Sequence, residues 1–107
     1  MIYGDKRMKE VILSADGNSY LYIVPDEVAD NLKEYCLKFC SDWIWNSPNA
    51  EKYRFGIGVC YTEADFIEYL NEYLFPDQKS KMIKNLGWTD LGAKLPIEYQ
   101  NHPFYNF

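Results

Sequence analysis

The chain has 107 residues, of which 48% are hydrophobic and 25% are charged; these ordinary proportions exclude a disordered or collagen-like chain. Sixteen acidic against 11 basic side chains give a formal net charge of -5, the wrong sign for holding a nucleic-acid backbone. The longest apolar run, residues 20–24, is too short to cross a bilayer, so we expect one globular domain over residues 1–107 that binds neither nucleic acid nor membrane.

Aromatic side chains and cysteines stand out in the composition. Tyrosine, phenylalanine and tryptophan make up 18% of the chain. Such side chains fill cores and dominate the hot spots of protein interfaces, so their abundance fits either a well-packed core or a protein-binding surface. The cysteines Cys36, Cys40 and Cys60 are too few for a disulfide framework, and no hydrophobic signal-peptide stretch follows Met1. We therefore expect free thiols and a cytoplasmic location.

The first predicted element is a β-hairpin. Residues 10–15 and 19–24 are rich in β-branched and aromatic side chains, and the Asp16-Gly17-Asn18 sequence between them is typical of a tight turn. A loop made of the aspartate and the glycine would determine the register. The predicted pairs are Val11 with Tyr22, Ile12 with Leu21 and Leu13 with Tyr20. Both faces of the hairpin are apolar, so we expect each face to be covered.

A long helix is predicted from Pro25 to about Asn46. Proline at the boundary and acidic residues in the first turn are favourable at a helix N-terminus. Apolar residues then recur at steps of three and four, which is typical of a helix with one buried stripe. The stripe consists of Val28, Leu32, Tyr35, Cys36, Phe39, Cys40 and Trp43. Trp45 points away from this stripe, so we expect it at the surface.

A third strand and a second helix are predicted next. Bulky and small side chains alternate over residues 53–61, and Gly56 and Gly58 on the bare face predict close approach by a neighbouring element. Residues 62–65 are similar to a capping box, and the apolar stripe that follows predicts a helix ending at Phe75. This stripe consists of Phe66, Ile67, Leu70, Tyr73 and Leu74.

The remaining segments show weaker patterns. Residues 78–85 predict a short third helix, with lysines near its C-terminal end and Gly87 just after it. Met8 begins the first clearly patterned segment, so residues 1–7 are either a flexible arm or an upstream start. Residues 88–107 are irregular but aromatic, and leaving a ring such as that of Phe107 in water forfeits about 1.5–3 kcal/mol. We therefore expect this tail to dock on the body.

The order of these elements predicts a small α+β domain of two layers. A three-stranded sheet, made of the hairpin and one further strand, would pack against two to three helices. A right-handed connection makes the third strand parallel to the second, which places it beside the first strand in an antiparallel pairing. We therefore expect residues 53–61 to lie next to residues 10–15 in the sheet.

The cysteines and the single histidine suggest an alternative function as a metal-binding protein or an enzyme. Cys36 and Cys40 lie one helical turn apart, and Cys60 and His102 would complete a four-ligand zinc set or a thiol-dependent catalytic site. Both helical cysteines fall within an apolar stripe, however, and free cysteine is commonly a small buried core residue. The sequence therefore favours a protein without catalytic residues or a cofactor. A small zinc-binding or thiol-dependent enzyme remains the alternative.

An acidic and aromatic face on the second predicted helix is the main candidate for binding a partner. Asp65, Glu68, Tyr69 and Glu72 fall within about 100° of arc, opposite the apolar stripe. Acidic side chains speed the encounter with a basic surface, and an aromatic ring supplies buried contact area. An ordinary solvated helix face is the alternative interpretation of the same residues.

Two further surfaces are candidates for contact. Tyr20 and Tyr22 share one side of the hairpin, where they would bind a partner or lie beneath the aromatic tail, and an exposed Trp45 would pack against a second copy of the chain. In size and acidity the chain is similar to small bacterial and phage inhibitors such as immunity proteins. This likeness implies a non-enzymatic cytoplasmic protein that binds, and inhibits, a protein with a basic surface.

Overall fold

A mixed four-stranded sheet carries helices on one face, and a separate two-stranded hairpin connects two helical runs. The computed structural model describes residues 7–88 and 95–107. The strands are β1 (Met8–Ser14), β2 (Asn18–Pro25), β3 (Arg54–Phe55), β4 (Gly58–Val59), β5 (Lys81–Trp88) and β6 (Phe104–Asn106). The helices are α1 (Asp26–Asp30), α2 (Leu32–Lys38), α3 (Ile44–Asn46) and α4 (Glu63–Tyr69). The other turns are π-helical (Phe39–Trp43 and Leu70–Leu74) or 3-10 (Pro48–Tyr53 and Ile97–Tyr99).

We call residues 26–46 the first helical run and residues 63–74 the second helical run. The first run covers the predicted length and ends at Asn46, but it is not one regular helix. At Asn31 the φ angle of -132° separates α1 from α2, and the Asn31 side chain donates to the carbonyl oxygen of Glu27 at 3.0 Å. A π-helical turn follows α2. Such a turn inserts an extra residue and so rotates every later side chain of the run.

The β1–β2 hairpin has the predicted register. The pairs Val11–Tyr22, Ile12–Leu21 and Leu13–Tyr20 are all present. In the turn, Asp16 has a positive φ of 56°. Its backbone N–H donates to the Asn106 side-chain oxygen at 2.9 Å, and the Asn106 amide donates to its carboxylate at 3.0 Å. Aspartate tolerates this conformation better than most residues, and the two hydrogen bonds from a distant strand stabilise it.

Two strands that the sequence did not predict flank this hairpin. The strand order is β5-β2-β1-β6, with β5 antiparallel to β2 and β6 parallel to β1. The α+β class is confirmed, but the sheet has four strands instead of three. The predicted helix over residues 78–85 is wrong, because most of this segment lies in or leads into β5. The predicted position of residues 53–61 beside β1 is also wrong, because β6 occupies it.

β5 is a strand because β2 offers it a row of backbone hydrogen-bonding groups. The two strands pair from Asn18 to Ile23, with irregular steps next to Tyr20 and Tyr22. Lysine and asparagine have little preference for strands, so the local pattern of β5 favoured a helix. Pairing with a distant strand overrides that weak preference. Gly87 lies at the irregular step between Ser19 and Tyr20 with a φ of 84°, which glycine adopts readily.

The predicted third strand folds back on itself. β3 and β4 pair as a short hairpin, and Gly56 in the turn between them has a φ of 59°. The positive φ is the reason for a glycine at this position. Close packing is not the reason, because a Cβ at Gly56 would meet no atom within 4 Å. A Cβ at Gly58 would lie 3.9 Å from the Phe55 carbonyl oxygen, which is an ordinary contact. The expected close approach of a neighbouring element to these glycines is therefore wrong.

Phe39 occupies the centre of the core between the two helical runs and the sheet. Its buried ring contacts five other rings at centroid distances of 5.2–6.1 Å. These rings belong to Trp43, Tyr61, Phe66, Tyr69 and Phe107. The backbone N–H of Phe107 donates to the carbonyl oxygen of Ser14 at 2.8 Å. That bond extends the pairing of β6 with β1 and directs the ring towards the core.

The opposite face of the sheet is also covered. Ile12 and Leu21 are buried there and lie outside the main core cluster. The segment before β6 runs beside them, since the Ile12 N–H donates to the Pro103 carbonyl oxygen at 2.8 Å. His102 Nε2 lies 2.8 Å from a carboxylate oxygen of Glu10, which alternation places on the same face as Ile12. The expectation that both hairpin faces need cover is confirmed.

Two segments with sequence-based expectations lie outside the described residues. They are residues 1–6 of the N-terminal segment and residues 89–94 of the tail. The described part of the tail contains a 3-10 turn, Ile97–Tyr99, and the strand β6. Among the helices of the described ranges, none has the length and apolar character needed to cross a membrane.

β5 forms an exposed edge of the sheet. Lys81, Met82, Ile83 and Lys84 are all exposed, and the pairing of β5 with β2 is irregular in two places. Lysines and irregular pairing on an edge strand discourage another strand from adding to it. We infer that Lys81 and Lys84 protect the apolar side chains of this edge from self-association.

Replacement of both edge lysines with valine is expected to promote self-association. Lys81→Val/Lys84→Val removes the charges that oppose edge-to-edge pairing and leaves the apolar neighbours exposed. Sedimentation velocity at increasing protein concentration should show larger species for this variant. Lys33→Val/Lys38→Val removes the same charge from exposed positions of α2 and is expected to sediment as the wild type does. Identical sedimentation of the two variants would contradict a protective role of the edge lysines.

Candidate functional site

The four residues of the zinc or thiol alternative do not come together. Cys36 is buried, Cys40 is half-buried and Cys60 is exposed. His102 contacts Glu10 on the sheet face that points away from the helices. Within residues 7–88 and 95–107, no group of three or more His, Cys, Asp or Glu side chains is placed to hold a metal ion. The described part of the chain therefore does not assemble the four-ligand set.

Cys36 and Cys40 belong to the core or pack against it. Burial raises the pKa of the Cys36 thiol, which disfavours the reactive thiolate. Burial is the main cause that raises the pKa of Tyr61 to about 12, and the neighbouring Cys40 adds to it. Burial is also the main cause that raises the pKa of Tyr105, and the neighbouring Cys40 acts in the same direction. Cys40, Tyr61 and Tyr105 all pack against the margin of the core.

The three thiols are expected to react in a fixed order with a water-soluble disulfide reagent. Cys60 should react first because it is exposed, Cys40 should follow, and Cys36 should react only when the chain unfolds. Timed labelling followed by peptide mapping in a mass spectrometer measures this order. In denaturant all three thiols should react at similar rates, which provides the control. Rapid labelling of Cys36 in the folded chain would contradict its buried position.

The second helical run rearranges the acidic face that the sequence predicts. Thr62 and Asp65 form a capping box, in which the Asp65 carboxylate accepts a hydrogen bond from the Thr62 N–H at 2.9 Å. Asp65 is therefore engaged at the helix N-terminus and is only half-exposed. Tyr69 is buried in the core. It does not lie on the exposed face where the sequence placed it.

A π-helical turn brings a different tyrosine to this surface. The extra residue within Leu70–Leu74 rotates the side chains that follow, so Tyr73 is 44% exposed instead of buried in the apolar stripe. The Tyr73 ring centroid lies 5.3 Å from that of Trp43, which is half-buried in the other π-helical turn. The two π-helical turns therefore meet at a Trp43–Tyr73 pair that reaches solvent.

Exposed carboxylates are the sequence neighbours of this aromatic pair. Asp42 directly precedes Trp43 and Glu72 directly precedes Tyr73, and both acids are exposed. Burial is the main cause that raises the pKa of Tyr69, and the charge of Asp42 acts in the same direction. We call this surface the acidic–aromatic face. It consists of Asp42, Trp43, Glu68, Glu72 and Tyr73.

Glu68 joins this face to the 3-10 turn that precedes β3. Its Oε1 accepts hydrogen bonds from the Lys52 ammonium and the Tyr53 hydroxyl, each at 3.1 Å. The Lys52 hydrogen bond is the main cause that lowers the pKa of Glu68, and the Tyr53 hydroxyl acts in the same direction. The Tyr53 ring centroid also lies 6.2 Å from that of Trp43. Residues of both helical runs and of the connecting turn thus form one continuous surface.

The hairpin tyrosines and Trp45 occupy different positions. Tyr22 is buried, and burial is the main cause that raises its pKa to about 12. Tyr20 is half-buried, with its ring centroid 6.4 Å from that of Tyr22 in an edge-to-face contact. Both rings therefore contribute mainly to the core. Trp45 is 45% exposed, as expected, and its indole N–H donates to the Cys40 carbonyl oxygen at 3.1 Å.

The Lys52–Glu68 ion pair predicts a pH dependence of stability. Because Lys52 lowers the pKa of Glu68 from its ordinary 4.5, the contact stabilises the fold above that pH and is lost as pH falls through the lowered pKa. Glu68→Gln is expected to lower the free energy of unfolding at neutral pH by about 0.2–1 kcal/mol, the usual range for an exposed pair. The difference should vanish in acid. Urea unfolding at both pH values measures it.

Glu98→Gln is the control for this ion pair, because Glu98 is an exposed carboxylate in the Ile97–Tyr99 turn. It should leave the free energy of unfolding unchanged at both pH values. A loss in Glu68→Gln that is equally large in acid and at neutral pH would contradict a contribution from the charged pair.

Sequence reasoning missed the aromatic residues that the surface exposes. Trp43 and Tyr73 both fit the apolar stripe of a regular helix, and no local signal marks a π-helical turn, since it arises from the packing of one helical run against the other. Phe55 and Ile57 were placed within one long strand, but Phe55 ends the short strand β3 and Ile57 lies in the exposed turn after it. Gly56 between them was the available signal, because glycine at a positive φ is typical of a tight turn.

Comparison of the chain with protein-family models, curated proteins and solved structures finds no match. The geometry of the acidic–aromatic face is therefore the basis on which a function is argued.

Proposed function

We propose that this chain is a non-enzymatic protein that binds another protein through the acidic–aromatic face, and that the partner presents a basic surface. The observation that carries the proposal is the Trp43–Tyr73 ring pair, which lies 5.3 Å apart and has exposed carboxylates as sequence neighbours. The cytoplasm, where free thiols stay reduced, is the proposed location. Inhibition of the partner is the proposed consequence of binding.

Charge supports a basic partner. The chain carries 16 acidic against 11 basic side chains. On the face itself, Lys52 is paired with Glu68, whereas no ion pair within the described residues engages Asp42 or Glu72. These two carboxylates can act on an approaching protein. Like-signed charges on one surface raise the association rate with an oppositely charged one, and added salt reduces this effect.

The aromatic rings supply contact at short range. Tryptophan and tyrosine are enriched among the residues that dominate binding energy at protein interfaces. Trp43 is held between the rings of Tyr69 and Tyr73, at centroid distances of 4.8 and 5.3 Å. Because its position is restricted before any partner arrives, binding would cost little side-chain entropy. The face thus combines charges that attract a basic protein with rings that retain it.

Charge reversal tests this proposal. The wild-type chain is immobilised and used to capture proteins from an extract of its source cell, and we expect a basic protein to be enriched. Asp42→Lys and Glu72→Lys, made separately and together, should reduce its recovery about tenfold or more, as should high salt. Within residues 7–88 and 95–107 neither acid forms an ion pair with a lysine, so reversal leaves the Lys52–Glu68 contact intact.

Glu98→Lys is the matched control, since this exposed acid lies in the segment next to the other face of the sheet. It should capture the basic protein as the wild type does, and thermal unfolding should show that every variant is folded. Equal losses in Glu98→Lys and Glu72→Lys would indicate an effect of net charge alone. Full recovery with Asp42→Lys/Glu72→Lys would contradict the proposal.

A further inference from the structure

The β3–β4 hairpin holds two large apolar side chains in solvent. Ile57 is 99% exposed and Phe55 is 64% exposed. A single exposed apolar residue is common and requires no explanation. Here two such residues lie on either side of one glycine at the end of a short hairpin, so together they form a small exposed apolar patch. We call residues 55–57 the hairpin tip.

The hairpin is mounted firmly on the first helical run. The Arg54 guanidinium donates to the carbonyl oxygens of Ile44 and Ser47, each at 3.0 Å. At the base of the hairpin, the Cys60 N–H donates to the Tyr53 carbonyl oxygen at 2.8 Å. These bonds fix the hairpin relative to the body before any partner arrives. Preorganised contact residues lose less entropy on binding and so bind more tightly.

The hairpin tip adjoins the acidic–aromatic face. Tyr53, the residue before β3, donates its hydroxyl to Glu68 at 3.1 Å, and its ring centroid lies 6.2 Å from that of Trp43. Phe55 follows Tyr53 by two positions in an extended segment. A surface large enough to cover the face therefore has the tip at its margin.

We propose that the hairpin tip inserts into an apolar pocket of the same basic protein that binds the acidic–aromatic face. This inference rests on the proposed function. Carboxylates act mainly on the rate of encounter, whereas buried apolar anchors act mainly on the rate of dissociation. The partner surface that fits both features is an apolar pocket rimmed by lysine or arginine.

A lipid surface fits the tip less well. Glu51, Asp65 and Glu68 lie in the elements that flank the hairpin, and the whole chain carries a formal charge of -5. Both nearby basic side chains are already engaged, Lys52 with Glu68 and Arg54 with the carbonyl oxygens of Ile44 and Ser47. Anionic headgroups would therefore repel the region around the tip, whereas a basic protein would attract it.

Serine substitutions at the tip test the inference. Ile57→Ser and Phe55→Ser change exposed side chains and keep Gly56, so the hairpin is expected to fold. Ile97→Ser is the matched control, because Ile97 is 83% exposed but lies in the segment beside the other face of the sheet. The probe is the basic protein captured by the wild type. Both tip variants should raise its dissociation rate about tenfold or more without changing the salt dependence of association, and Ile97→Ser should change neither.

A photoreactive residue locates the contact independently of affinity. Ile57→p-benzoylphenylalanine is placed in the full chain and irradiated in the cell extract. We expect it to cross-link the protein that the wild type captures. The same replacement at Ile97 should not cross-link that protein. Two further measurements test the other possible occupants of the tip. Sedimentation of the free chain tests self-association, and flotation with vesicles of phosphatidylcholine and phosphatidylglycerol tests binding to a lipid surface.

The outcomes distinguish the inference from the proposed function. Unchanged dissociation in both tip variants, with no cross-link from position 57, overturns the inference and leaves the proposed function standing. Loss of binding in the tip variants, with no effect of Asp42→Lys/Glu72→Lys, overturns the proposed function and shows that the tip binds its partner without the acidic–aromatic face. A cross-link to a second copy, or flotation that Ile57→Ser abolishes, overturns the inference. If nothing is captured and nothing is cross-linked, both are overturned.

Discussion

The fold depends on the packing of Phe39 against five aromatic rings that come from four parts of the chain. The partners lie in the first helical run, in the segment before α4, in α4 itself and at Phe107. Phe39 is also the first residue of a π-helical turn. That turn allows both Phe39 and Ile44 to be buried while Trp43 lies at the margin of the core. Packing around one ring therefore determines the irregular geometry that exposes the candidate site.

Local features of the fold were predictable, and features that depend on distant segments were not. The β1–β2 register and the capping box at Thr62 follow from neighbouring residues, so composition and spacing were sufficient. β5 depends on the free edge of β2, and its lysines and asparagine favour a strand only because that edge is present. β6 is a strand of three residues, Phe104–Asn106, beside β1. A segment so short carries no periodicity that a sequence could reveal.

In the candidate site, the exposed charges could be predicted from the sequence, whereas the exposed aromatic rings could not. Glu68 and Glu72 are polar positions of a helix, and their exposure follows from amphipathic spacing whether or not the helix is regular. Which aromatic ring reaches solvent depends on the phase of the helix at that point. The inserted residue brings Tyr73 to the surface, whereas Tyr69, which precedes the π-helical turn, is buried against Phe39 and Trp43. Sequence periodicity could therefore locate the acidic part of the surface but not its aromatic part, because the phase is decided by packing.

The pairing of β6 with β1 has a consequence for the order in which the chain assembles. The two side chains that join the hairpin turn to β6 lie 90 residues apart in the sequence. Contacts of such long range slow folding, because a large loop must close before they contribute any stability. During synthesis, β1 can pair with β2 long before β6 emerges, and until then one edge of β1 stays open. Completion of the sheet and closure of the aromatic core around Phe107 are thus a single late event.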